Sequence, residues 1–263
     1  MKNSIRSKSN SILKKWVPSR SIMKRFRLFP EAFHCFRSVF LTYAMIAVLS
    51  SVFFLTSFVN PAFGVVLSAS SHTPWGIITS IFIHGGIEPL LNNLIGLFAL
   101  FLLFSMSNLN SSNKERQMIT VFLLVTIFLT AIVSNFLWIM LVSNGFTSGL
   151  SGVVFATEGA LMAFSLRNSM TMFRLSKLDT KEKKRTQTLW VLNLLVFLSI
   201  FIQILSNPHQ FLNVAPKVNS FVHGIAFLSN YSLTAAWFFF KGNPNLAQLK
   251  EHELLNPKAQ NLK

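Results

Sequence analysis

Cysteine is nearly absent. The single Cys35 excludes an internal disulfide framework, and its place at the edge of the first apolar stretch suits a packing residue. There is no Gly-rich phosphate loop and no internal repeat, and a cleavable signal peptide is not expected, because the first apolar run is too long for an h-region and follows a long basic arm. Charge is also scarce. Only 12% of the residues are charged, and they crowd into a few polar segments, whereas 51% are hydrophobic. A water-soluble fold of 263 residues has no reason to segregate its charges in this way, so the chain reads as an integral membrane protein.

Six segments are long enough to cross a hydrocarbon core of about 30 Å at about 1.5 Å per helical residue. They are 36–58, 77–106 with a broken, polar beginning, 118–142, 151–167, 188–206 and 219–240. Backbone groups in lipid must be satisfied within each segment, so the spans are helices, and the expected fold is an all-α polytopic bundle of six transmembrane helices. Of the 24 Lys and Arg, 23 lie in the arm through Arg37, in 107–117, in 167–187 and in the tail from Lys241; only Lys217 lies in the other three loops. That asymmetry predicts an N-in, C-in topology, in the plasma membrane for preference. The chain then divides into a basic cytoplasmic arm (1–34), a membrane domain (35–242) and a cytoplasmic tail (243–263). The net charge of +16 follows from topology, and no nucleic-acid partner is called for, because no basic domain folds apart from the spans.

With an N-in start the second, fourth and sixth spans run in the same direction, which fixes the depth of their polar residues. His84 and Asn93 fall early in the second span, Ser151 opens the fourth and His223 lies about one turn into the sixth. Polar groups at one level inside a bilayer face the protein interior or a water-filled cavity, so this layer is a candidate site. Ser151 at a helix start sits beside unpaired backbone N–H groups and the positive end of the dipole, where an oxyanion is stabilised. Glycines at 145, 149 and 152 permit a tight approach there. The fourth span, only about 16 residues from Ser151 to Arg167, is expected to be short and its outer end recessed. Taken singly, Ser151 is an ordinary helix cap, His223 a donor to some carbonyl and Asn93 a helix-helix hydrogen bond.

Together these residues resemble the rhomboid family of intramembrane serine proteases. The resemblance covers roughly 75–235 and rests on three motifs: Trp75 to His84 leading to Asn93, Gly149-Leu150-Ser151-Gly152, and His223-Gly224. It implies a Ser-His dyad, with Ser151 as nucleophile and His223 as general base and then acid. It implies Asn93 and the Ser151 N–H as oxyanion donors, supported by His84, Gly149 and Gly152, and Phe155 packed on the histidine ring. No metal and no cofactor are implied. The partners are the lipid bilayer and other membrane proteins, whose transmembrane segments would be cut near the outer face.

This sequence departs from the family pattern at several positions. A second histidine is expected at Pro89, glycines are expected at Ala226 and Asn230, and the loop 59–76 has no Trp-Arg pair. Loss of one oxyanion donor slows such an enzyme by about 10²–10³ without abolishing it. The rival reading is a rhomboid-like protein that binds membrane clients without cutting them. A metalloprotease is disfavoured, because His84-Gly85-Gly86-Ile87-Glu88 does not place two imidazoles on one helix face. A transporter using Glu158 as proton carrier is disfavoured by the lack of a repeated half. Glu158, two turns beyond Ser151, is instead expected to hydrogen-bond a neighbouring helix.

Overall fold

The computed structural model describes residues 28–142, 146–176, 183–212 and 220–241. The arm through residue 27, Gly145, Lys217 and the tail from 243 lie outside the described residues. Helix α1 (Leu28–Cys35) leads into α2 (Arg37–Val59), and the short α3 (Pro61–Leu67) is followed by a two-residue strand, β1 (Ala69–Ser70). The short α4 (Gly76–Thr79) runs into a single 3-10 turn at Ser80–Phe82; after a break at 83–86 comes α5 (Ile87–Ser107). The remaining elements are α6 (Asn113–Leu141), β2 (Phe146–Thr147), α7 (Ser151–Ser176), α8 (Lys183–Ser206), α9 (His209–Leu212) and α10 (Ser220–Lys241). The residues that close the arm are thus helical, and Ala32 and Phe36 beside them are buried in the core.

Helices α2, α5, α6 and α8 are long and apolar enough to cross a membrane. Helix α2 buries only Val39, Ile46 and Ser50 and turns Leu41, Met45, Val48, Val52 and Leu55 outward, as a helix in contact with lipid does. Helices α7 and α10, also expected from the sequence as spans, are long enough but less apolar. For α7 the reason is its position. Sixteen of the 26 residues of α7 are buried, Thr157, Glu158, Ser165 and Asn168 among them, because α5, α6, α8 and α10 surround it. A helix that meets protein on most sides need not match lipid. The second apolar segment does begin broken, since Gly86 caps α5 and Pro89 sits in its first turn, where a missing N–H costs nothing.

One expectation is overturned. The helix that opens at Ser151 does not end at Arg167: α7 runs on to Ser176, so Arg167 does not measure its length. The guanidinium is largely buried, bonds the Glu115 carboxylate at 3.3 Å and lies 4.2 Å from the centre of the Phe238 ring. A charge paired in this way can stay inside a bundle. Nearby, the Asn168 amide donates to the Ser107 carbonyl and to Asn108 Oδ1, each at 3.0 Å, and Arg185 bonds Glu31 at 2.6 Å. These contacts tie together the end of the bundle opposite Ser151.

Helices α7 and α10 approach through a glycine on the unexpected partner. Where the family pattern has glycines on the last span, this chain has Ala226 and Asn230, both fully buried. The close contact comes from Gly159 on α7, where a Cβ would lie 2.2 Å from the Phe227 carbonyl oxygen. Asn230 adds a hydrogen bond from its amide to the Ala156 carbonyl at 2.8 Å. Gly159→Ala is expected to lower the thermal midpoint in detergent by about 5 °C or more, because the two backbones must part. Gly96→Ala, with only the Val154 side chain at 3.7 Å, serves as the control that changes little.

Candidate active site

The chain before Ser151 is held from several sides. Strand β2 pairs with β1, Ala69 opposite Thr147 and Ser70 opposite Phe146. The Gly149 N–H donates to the Ser80 carbonyl at 2.8 Å, and Gly149 has φ of 111°, a conformation that side-chain-bearing residues rarely adopt. On α6, buried Asn135 joins both segments: its amide donates to Ser80 Oγ and its carbonyl accepts from Thr147 Oγ1, each at 3.2 Å. Four short contacts therefore set where α7 begins, and with it the nucleophile candidate.

His84 lies in the break before α5 and is almost fully buried. Its Nδ1 is 3.2 Å from the Phe82 carbonyl, which can only accept, so Nδ1 carries the proton and Nε2 is left as acceptor. Two donors share that lone pair at 3.3 Å: the Leu150 N–H, one residue before Ser151, and the Asn93 amide. His84 thereby fixes Asn93 relative to the start of α7. An amide nitrogen carries two hydrogens, so Asn93 retains one for the cavity beside it.

That cavity, of about 330 Å³, is lined by Ser151 and His223, with Asn93, His84, Pro89 and Gly149 around them. The helix origins differ, α7 for Ser151, α10 for His223 and α5 for Asn93, so three distant stretches of sequence converge. The imidazole of His223 stacks on Phe155, with ring centres 4.3 Å apart and planes 16° from parallel. Its Nδ1 is 3.3 Å from the Gln210 carbonyl and donates to it, which leaves Nε2 unprotonated. No direct hydrogen bond joins Ser151 and His223 among the described residues, and catalytic pairs commonly tighten only when substrate is bound. Gly152 faces Ala131 on α6, a Cβ there being 3.4 Å from the alanine methyl, so it serves helix packing beneath the site.

A family model described as Rhomboid domain matches residues 71–238, most of the chain. The chain belongs to the rhomboid family. No curated protein and no solved structure gave a match. The rhomboid domain and the apolar helices make it a multi-pass integral membrane protein.

Sequence reasoning missed Asn92, Asn135 and Gln210. Asn92 and Asn135 line the rhomboid cavity, and Gln210 orients His223 by its backbone. An amide at 135 inside an otherwise apolar span was the available signal; a backbone carbonyl on a four-residue helix leaves none. Glu158 is not at the cavity. It is buried on α7, with the Gln203 side chain of the neighbouring α8 beside its carboxyl.

Proposed function

We propose that this rhomboid-family protein is a serine endopeptidase that cuts transmembrane segments of other membrane proteins by a Ser151-His223 dyad. Ser151 Oγ attacks the scissile carbonyl while His223 Nε2 takes its proton. The oxyanion is held by the free Asn93 hydrogen and the Ser151 N–H, one of the unpaired donors of the first helical turn. Collapse expels the amine, which takes the proton back from His223, and water then releases the acyl group by the same relay. The dyad has no carboxylate; the Gln210 carbonyl and the Phe155 ring do the orienting that an acid would otherwise do. The observation that carries this reading is that Ser151, His223 and Asn93 open onto one cavity, with the histidine held so that its basic nitrogen is free.

The proposal includes a six-span topology, with α7 and α10 crossing as well, both termini cytoplasmic and the cavity near the outer face of the plasma membrane. The distribution of Lys and Arg supports it. The test is labelling of membranes with a fluorophosphonate probe. Covalent modification of Ser151, mapped by mass spectrometry and absent in His223→Ala, is expected; an unmodified Ser151 in folded protein would leave no activated nucleophile.

Pro89 favours a second reading, client binding without cleavage, since it lines the cavity where the family pattern has a histidine donor. Under that reading Ser151 stays unlabelled although transmembrane peptides bind.

A further inference from the structure

Away from the cavity, at the opposite end of the bundle, a groove of about 580 Å³ runs along the outward seam between α6 and α10. Its floor is Trp237 stacked on Phe122, with ring centres 4.6 Å apart, and its wall is Val121 and Val125, both more than half exposed. Lys114 and Gln117 close one end. Lys241, the last residue of α10, sits at the same end, its Nζ 4.7 Å from the centre of the Trp237 ring and against the sulfur of Met118.

The groove has a charge and a length. From Lys114 to Val125 is about 16 Å of helix, roughly half of a hydrocarbon core of about 30 Å, which is the depth of one leaflet. Arg116, two residues beyond Lys114, faces away from the groove toward Cys35 and Ser38, and the acid between them, Glu115, is engaged with Arg167 inside the bundle. The mouth is thus cationic with no free carboxylate among the described residues of α6. The aromatic floor and valine wall match an acyl chain; the ammonium groups at the membrane surface match a phosphate.

We propose that this seam is a binding site for an anionic phospholipid, with the phosphate between Lys114 and Lys241 and an acyl chain along Val121, Val125 and Trp237. Basic residues at the end of a seam between membrane helices hold acidic headgroups by Coulomb attraction, and the apolar groove adds selectivity for a lipid over a soluble phosphate. Such a lipid would pin the end of α10 to the start of α6.

The test is native mass spectrometry of the full-length protein released from nanodiscs containing phosphatidylglycerol and phosphatidylcholine. One retained phosphatidylglycerol is expected on the wild-type chain. In Lys114→Glu/Lys241→Glu its occupancy falls at least about thirtyfold, since each basic residue near the headgroup plane is worth about fivefold. Val125→Trp, which fills the groove and leaves the charges, also displaces it. The control is Lys183→Glu/Lys184→Glu, which removes equal charge at the start of α8, at the same end of the bundle, and keeps the lipid. Equal loss in both charge-reversed variants would reduce the effect to diffuse attraction and overturn the proposal, as would equal retention of phosphatidylcholine. A protein dimer lost in the groove variants would overturn it in favour of a second copy of the chain.

Discussion

Ser151→Ala and His223→Ala are each expected to bring cleavage of a model transmembrane substrate to background in proteoliposomes, with helicity and thermal midpoint unchanged. The two side chains come from α7 and α10 and share one cavity, where the other imidazole, His84, has its Nε2 engaged by the Asn93 amide and the Leu150 N–H. A hydroxyl without a base is a weak nucleophile, and a base without the hydroxyl has only water to activate, so either loss removes the covalent route. The fold should survive, because neither side chain fills the core: both are partly exposed to the cavity. Product peptides sequenced from the wild-type reaction give the cut site, and full cleavage by either variant would end the dyad assignment. Binding of the uncut substrate by Ser151→Ala separates a lost chemical step from a lost binding site.

Asn93→Ala is expected to cost about 10² in kcat with a smaller change in KM, because an oxyanion donor acts on the transition state and not on the ground-state carbonyl. The comparison that gives this weight is His84→Ala. His84 touches both Asn93 and the Leu150 N–H, so its loss releases the oxyanion donor and the start of α7 together. It is expected to lower both kcat and the thermal midpoint, whereas Asn93→Ala lowers kcat alone. Should Asn93→Ala instead unfold the protein, its amide is structural and the developing charge must be held by backbone donors.

The legible part of this protein was what lipid enforces. Long apolar runs around α2, α5, α6 and α8 must be helices, since an unpaired backbone group in hydrocarbon is too costly, and the break before α5 showed as polar residues beside glycines. The meeting of Asn93, Ser151 and His223 at one cavity was also readable, because polar residues at one depth in a bundle turn to a shared interior. Arg167 misled for the converse reason: a charge reads as a helix end unless its partner is known, and Glu115 lies 52 residues away. The same distance in sequence hid Asn135, whose partners Ser80 and Thr147 belong to other segments.

By itself the sequence determined the membrane setting, the helices and the residue types able to do acyl-transfer chemistry, because hydropathy and helix period act over neighbouring residues. Only the tertiary structure decided how those residues meet. Hydrogen bonds and packing join segments far apart: Phe155 beneath the His223 ring, the Gln210 carbonyl behind it, His84 shared between Asn93 and Leu150. It also decided which helix carries the glycine at the α7-α10 crossing, since close approach needs one missing side chain and either partner can supply it. Gly159 supplies it here, and Ala226 and Asn230 are thereby tolerated.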